Sequence, residues 1–282
     1  MTRPWNSNVA ESPIAVVENT VYLRRTMFEP IIDPIFYLAA IPAVLIAGIG
    51  KGGFGGSIGM LATPLIALTT SPLQAAAIML PILCAMDIMG LLAYRTKASW
   101  PNLLRMAPGA VAGIVIGTLT FDVMSEDFIR ILIGGIAIGF TISNLIKSSR
   151  NKKPAGPSWV KGSIWSCVSG FTSFVAHAGG PPVQVYLLPQ RIDKTLYVGT
   201  TVWFFFLVNY VKLIPYGFLG QFSTSSLGTS LALAPLAPLG IWLGFKLHHR
   251  VNEVLFYRII YVFLILAGAK LLFDGFSGLL AN

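Results

Sequence analysis

The chain has 282 residues, of which 55% are hydrophobic and only 11% are charged. A soluble domain needs about a quarter of its residues charged to cover its surface, so this composition excludes an ordinary soluble fold. It also excludes a disordered chain, because a solvated coil does not tolerate so much apolar surface. With a mean hydropathy of +0.73, we expect an all-α integral membrane protein. The net charge of +9 is assigned to cytoplasmic loops, where Lys and Arg collect, and not to nucleic-acid binding.

Residues 1–32 form a polar arm without the continuous apolar core of a signal peptide. Within this arm, residues 14–27 could lie on the membrane surface as an interfacial helix. Apolar segments then follow along the chain, at 33–50, 57–69, 73–94, 101–121, 128–147, 160–176, 181–190, 195–214, 227–246 and 254–273. Most are long enough to cross a bilayer, but 57–69 and 181–190 are too short to do so alone.

Each of the two short segments follows a glycine-rich break inside an apolar stretch. The first break is Gly50–Gly56, and the second lies within Gly170–Pro182. Each short segment is followed by full-length spans in the same order, so the chain divides into two similar halves. The domain boundaries we predict are the arm 1–32, the repeats 33–147 and 160–282, and the basic cytoplasmic linker 148–159 between them.

The distribution of basic residues predicts the topology. If each broken segment is a re-entrant hairpin, each half crosses the membrane three times, and the second half is inverted. The basic loops then share one side, which is cytoplasmic by the positive-inside rule. They hold Arg95, Lys97, Arg105, Lys147, Arg150, Lys152, Lys153, Lys161, Arg191, Lys194, Lys246, Arg250 and Arg258. A full crossing by each broken segment would put Lys246–Arg250 on the opposite side. We therefore predict two inverted-topology repeats, each a broken helix hairpin plus three spanning helices, with both termini outside the cytoplasm.

The two breaks are the candidate binding site. Clustered Gly and Pro free backbone groups, which are tolerated at membrane depth only inside protein or beside water. Paired interruptions in two halves are typical of a midplane transport site, where half-helix N-termini favour anions. The predicted substrate-binding residues are Lys51, Gly52, Gly53, Phe54, Gly55, Gly56, Pro64, His177, Gly179, Gly180, Pro181, Pro182, Gln184, Thr200 and Thr201. The remaining glycines in spans are expected to allow close helix packing: Gly109, Gly113, Gly117, Gly134, Gly135 and Gly139.

Three ionisable residues stand out within the apolar segments. Lys51 lies in the first break, too deep to snorkel easily, and is expected to contact an anion or form a structural ion pair. Asp87, the expected partner of Lys51, could neutralise this lysine or carry a proton. His177 in the second break could contact the ligand, carry a proton, or simply pack.

Other polar residues in the spans have simpler expected roles. Gln74, Gln184, Thr200, Thr201 and Asn209 could join helices through hydrogen bonds. The basic residues near span ends are expected to snorkel: Arg130, Lys212 and Lys270.

Catalytic and cofactor motifs are absent from the sequence. There is no Ser–Lys or Ser–His arrangement of fixed spacing, no metal-ligand cluster and no phosphate-binding loop. Cys84 and Cys167 lie in apolar runs and are expected to pack as small hydrophobic residues. We expect no enzyme and no cofactor; the partners are a small anion and the lipid bilayer, and a homodimer is left open.

The duplicated pattern is similar to that of a known family. The run Gly50–Pro64 with Gln74–Ala77, and the run Gly170–Pro182 with Val198–Thr201, resemble the repeated signature of the TauE/SafE sulfite exporters, also called the DUF81 permeases. The resemblance covers residues 33–273. The chain departs from the pattern at His177, where the family is usually richer in glycine.

The resemblance implies export of sulfite, or of an organosulfonate such as sulfoacetate, across a bacterial inner membrane. The expected mechanism is alternating access at a midplane site. An inside-negative potential favours anion exit by about 2.3 kcal/mol per charge per 100 mV, so export needs no coupling ion. An anion channel and a proton-coupled transporter of another small anion are the alternatives.

Overall fold

A computed structural model of the chain describes residues 30–53, 57–146, 154–247 and 253–281. Within these ranges the regular structure is entirely helical. The helices of the first half are α1 (Pro34–Gly53), α2 (Ala62–Ile66), α3 (Pro72–Tyr94), α4 (Trp100–Leu119) and α5 (Glu126–Ile146). Those of the second half are α6 (Trp159–Ala176), α7 (Gly180–Leu187), α8 (Lys194–Phe218), α9 (Thr224–Leu233), α10 (Leu236–Leu247) and α11 (Glu253–Ala281). Short 3₁₀ helices span Ser57–Leu61, Phe121–Val123 and Leu188–Gln190. The predicted interfacial helix over 14–27, and Phe54, Gly55 and Gly56, lie outside the described residues.

Four of these helices, α1, α3, α4 and α8, are long and apolar enough to cross a membrane by length and composition. The pair α9 and α10 makes a fifth candidate span, bent by 41°. The sequence predicted one uninterrupted span over 227–246, and the structure divides it at Ala234 and Pro235. The cause is Pro235, which has no N–H to donate and whose ring clashes with the preceding turn.

Side-chain caps fix where the two central helices begin. Ser71 accepts a hydrogen bond from the Gln74 N–H at 3.2 Å, with Pro72 at the first position of α3. Asp193 accepts from the N–H groups of Thr195 and Leu196 at 2.9 and 3.2 Å, and so caps α8. Because both caps satisfy backbone donors that the helix itself cannot satisfy, they define the starting register of α3 and α8.

Each broken segment folds back on itself. The short arm α2 packs along α1, and α7 packs along α6. At the base of the second hairpin, the Ala155 N–H donates to the Pro189 carbonyl at 3.0 Å. The Ser158 N–H also donates to the Tyr186 hydroxyl at 3.3 Å. The segment before α6 and the segment after α7 are therefore joined, so this broken segment starts and ends at the same level.

The most extensive contacts between the halves follow a reciprocal pattern. Helix α1 of the first half packs against α10 of the second, while α6 of the second half packs against α4 of the first. The helices in matching positions contact each other directly, α3 against α8 and α5 against α11. Each half therefore packs against the other half's broken hairpin, and α3 packs against α8.

Glycines allow the closest of these helix contacts. A Cβ added at Gly109 or Gly113 would lie 2.1 or 2.0 Å from a backbone carbonyl oxygen of α6, so only glycine fits there. The predicted packing role is also met at Gly117, next to Phe174, and at Gly134, next to Gly268. It is wrong for two glycines on the open side of α5, where an added Cβ would meet nothing within 4 Å: Gly135 and Gly139.

Candidate functional site

The two broken hairpins and the two central helices meet at a small cavity. The volume of the cavity is about 30 Å³, which is room for one or two water molecules. The first half contributes Lys51, Gly59, Met60 and Leu83 to its lining, and the second half contributes Ser173, His177, Gly180, Phe205 and Asn209. The sequence placed Lys51, His177 and Gly180 in one site, and the structure brings these three together.

One side of the cavity holds a buried ion pair. The Lys51 ammonium contacts Asp87 Oδ1 and donates to the Leu83 carbonyl at 3.2 Å. Asp87 is only 2% exposed, and its second oxygen, Oδ2, accepts from Asn209 Nδ2 at 2.6 Å. Both carboxylate oxygens therefore have a donor, which is what a buried charge requires. The Lys51–Asp87 contact is the pairing that the sequence led us to expect; whether Asp87 also carries a proton stays a prediction.

A second lysine contacts two residues of the cavity lining without lining the cavity itself. Lys212 is fully buried, and its Nζ donates to the carbonyl and hydroxyl oxygens of Ser173 at 2.9 and 3.0 Å. Its third contact is Nδ1 of His177, at 2.8 Å. The prediction that Lys212 snorkels is wrong, because its side chain points into the bundle from the cavity-facing side of α8. The missed signal is the spacing of Phe205, Asn209 and Lys212, which puts three residues on one helical face.

His177 has both ring nitrogens engaged. Nε2 lies 2.9 Å from the Ala76 carbonyl, which can only accept, so Nε2 carries a hydrogen. With Lys212 as an ammonium donor, Nδ1 is the acceptor and the imidazole is neutral. His177 therefore links the second hairpin to α3 and to α8 at once.

The second break keeps its backbone satisfied by hydroxyls of its own hairpin. Helix α6 ends at His177, whose φ of 53° is left-handed, and the His177 N–H returns to the Ser173 carbonyl at 3.0 Å. Ser169 Oγ donates to the Gly179 carbonyl at 2.7 Å, and Thr172 Oγ1 donates to the Ala178 carbonyl at 3.1 Å. These bonds fix the shape of the break, as backbone at membrane depth requires.

The helix that follows this break is a weaker anion site than expected. Pro181 and Pro182 have no N–H, so α7 starts with Gly180 and Val183 as its only backbone donors in the first turn. Both prolines line a separate apolar hollow beside Trp165, away from the cavity. The two prolines are therefore not part of the cavity lining, and their contact with a substrate stays a prediction.

Several other predicted residues do not reach the cavity. The Thr200 hydroxyl accepts from the Ser99 N–H at 2.8 Å and donates within its own helix, and Thr201 donates to the Val198 carbonyl at 2.8 Å. Because short hydroxyls bond so readily to nearby backbone, these residues join segments near the start of α8 and are not part of the cavity lining. Four further predicted residues also lie outside the lining: Gly52, Pro64, Gly179 and Gln184.

Matching positions of the two halves meet at this site. Asp87 and Asn209 each lie 15 residues after the first residue of their helices, Pro72 and Lys194, and they are hydrogen-bonded to each other. Leu83 and Phe205 occupy a second matching pair, and both line the cavity. The cavity thus lies beside α3 and α8, at positions that are equally far from the starts of these two helices.

The groups of the site that can carry charge are the amines of Lys51 and Lys212 and the carboxylate of Asp87. Among the described residues, no group of three or more His, Cys, Asp or Glu side chains could hold a metal ion. With both amines protonated the net charge of the site is positive, and Asn209, Ser173 and His177 are its neutral polar neighbours. This arrangement suits a small anion.

Comparison with known proteins identifies a family. The family model described as "Sulfite exporter TauE/SafE" matches residues 40–271 of the chain. No curated protein and no solved structure matches the chain significantly. The match covers both glycine-rich breaks and all of the residues that line the cavity.

Proposed function

This chain belongs to the TauE/SafE family of sulfite exporters, and on that premise we propose that it exports sulfite or an organosulfonate such as sulfoacetate from a bacterial cytoplasm. The family consists of multi-pass membrane transporters of sulfur-containing anions, and the apolar helices of this chain agree with that class. The bacterial inner membrane, the choice of anion and the transport mechanism are parts of the proposal.

The observation that carries the proposal is that two lysines and only one carboxylate meet at the cavity. Lys51 lines the cavity, Lys212 bonds to Ser173 and His177, which also line it, and Asp87 contacts Lys51 alone. A buried charge that is not neutralised costs several kcal/mol, so a bound anion would stabilise this site. The neutral donors around the cavity suit the oxygens of a sulfur oxyanion.

Alternating access is the mechanism that the architecture favours. The reciprocal contacts of α1 with α10 and of α6 with α4 are those expected of two repeats related by a twofold axis. Three crossings per half, with each broken segment entering and leaving on one side, would give the two repeats opposite orientations. Substrate sites of inverted-repeat transporters lie at the repeat interface, where this cavity is.

The test is efflux from liposomes that contain the purified protein and radiolabelled sulfite or sulfoacetate. We expect efflux that saturates with anion concentration, is faster with the potential negative inside, and shows counterflow. Acetate-loaded liposomes and protein-free liposomes are the controls. Efflux without saturation or counterflow would identify a channel, and no efflux of either sulfur anion would refute the proposed function.

A further inference from the structure

The two buried lysines at the cavity differ in how their charges are balanced. Lys51 contacts the Asp87 carboxylate directly. Lys212 has three partners, the carbonyl oxygen and hydroxyl of Ser173 and Nδ1 of His177, and all three are neutral. Among the described residues, no Asp or Glu oxygen lies within 4 Å of the Lys212 nitrogen.

The geometry ties Asp87 to Lys51 and keeps it from Lys212. One carboxylate oxygen of Asp87 accepts from Lys51, and the other accepts from Asn209 at 2.6 Å. Asn209 precedes Lys212 by less than one helical turn on α8. Its amide donates to the carboxylate oxygen of Asp87 that Lys51 does not contact. The pair Lys51–Asp87 is therefore neutral as a unit, and the uncompensated positive charge of the site belongs to Lys212.

The partners of Lys212 are also the groups that face the cavity. Ser173 and His177 both line it, and the fully buried Lys212 donates to Ser173 and contacts His177 Nδ1. An anion oxygen that entered between Ser173 and His177 would meet the Lys212 ammonium. It would replace a neutral acceptor by a negatively charged one and so add the Coulomb attraction of opposite charges at a poorly solvated site.

We propose that Lys212, and not Lys51, supplies the positive charge that neutralises the transported anion. The anion takes over one of the three bonds that Lys212 now makes to Ser173 and His177. Lys51 then serves to keep Asp87 paired, and its charge is not part of the substrate's balance. This assignment rests on the proposed function, because it names the group that gives that same site its affinity for anions.

The test is a calorimetric titration of the purified protein with sulfite, sulfoacetate, phosphate and acetate. Three variants are compared with the wild-type chain: Lys212→Gln, Lys212→Arg, and the double variant Lys51→Gln with Asp87→Asn. The double variant removes the ion pair and leaves the net charge unchanged. Arg130→Gln is the control for loss of a positive charge, because Arg130 pairs with Glu126 and Asp127 far from the cavity lining.

We expect Lys212→Gln to weaken anion binding at least about tenfold, as loss of a charged hydrogen bond does, and Lys212→Arg to keep most of it. The double variant should weaken binding less than Lys212→Gln does, and Arg130→Gln should bind within about threefold of wild type. If the double variant loses binding while Lys212→Gln keeps it, the assignment is overturned. If Lys212→Gln does not fold, as judged by size-exclusion chromatography, the double variant alone decides: retained binding supports the assignment and lost binding overturns it.

The anion panel separates this assignment from the proposed function. If the wild-type chain binds phosphate or acetate but no sulfur anion, the proposed function fails, while the variants still test Lys212 with the anion that binds. If the wild-type chain binds no anion at all, both are overturned.

Discussion

The buried pair of Lys51 and Asp87 makes a quantitative prediction about stability. Asp87→Ala removes the carboxylate and leaves the Lys51 ammonium, whose side chain is 12% exposed, with only the Leu83 carbonyl at 3.2 Å as a partner. It also leaves Asn209 Nδ2 without its acceptor. Removing one partner of a buried pair costs about 3–5 kcal/mol. Because Lys51 borders the cavity and can gain water there, we expect a loss near the lower end, about 3 kcal/mol.

Thermal unfolding of the purified variants, followed by tryptophan fluorescence, measures this loss. The matched control is Lys51→Gln with Asp87→Asn, which leaves no unpaired charge and should be more stable than Asp87→Ala. The substitution to alanine also opens a space of carboxylate size beside the ammonium. We therefore expect added acetate to restore part of the stability of Asp87→Ala and to leave the double variant unchanged.

Two results would refute this reasoning about the pair. If Asp87→Ala is as stable as the wild-type chain, the ion pair contributes nothing and Lys51 is solvated without it. If the double variant is as unstable as Asp87→Ala, the loss arises from packing around α3 and not from an unpaired charge.

Three further predictions concern packing, the histidine and the second hairpin. Gly113→Ala should abolish folding, because its Cβ would lie 2.0 Å from a backbone oxygen, whereas Gly135→Ala should fold normally. The yield of monodisperse protein measures both, and equal yields would contradict the close helix contact at Gly113. His177→Gln should keep efflux within about threefold of wild type, because glutamine can accept from Lys212 and donate to the Ala76 carbonyl. His177→Leu should lose efflux. If both variants abolish efflux equally, the imidazole itself acts in transport. Tyr186→Phe should lower the free energy of unfolding by about 1–2 kcal/mol, because it removes the hydrogen bond from the Tyr186 hydroxyl to Asn102 at 2.8 Å. An unchanged melting temperature would show that this bond does not stabilise the hairpin.

The arrangement of helices could be predicted well from apolar segments and glycine breaks. Both short segments are short helices that fold back on a long arm, as their length requires. The bend between α9 and α10 was missed because the stretch around Pro235 is apolar throughout, and average hydropathy does not register one proline. Its position shows that proline must be weighed separately from hydropathy in a span.

The site could be predicted only in part. A charge inside a break is unusual enough to identify Lys51, and Asp87 follows as its partner because no other acid lies well inside a span. Lys212 was missed because distance from a helix end decides whether a lysine can snorkel, but the direction of the side chain decides whether it does. That direction depends on the face of α8 that packs on α6, which is a tertiary property.

Symmetry determines which contacts of the site can persist through transport. In the proposed inverted repeat, the change of access exchanges the conformations of the two halves. A contact between non-matching positions then becomes a different contact, whereas a contact between matching positions is converted into itself. The bond between Asp87 and Asn209 is of the second kind, so it can hold α3 to α8 in both states. Lys212 has Gly90 at its matching position, 18 residues into α3 as Lys212 is into α8, so its bonds to Ser173 have no counterpart. The charge on Lys212 is therefore presented differently in the two states, as release of an anion requires.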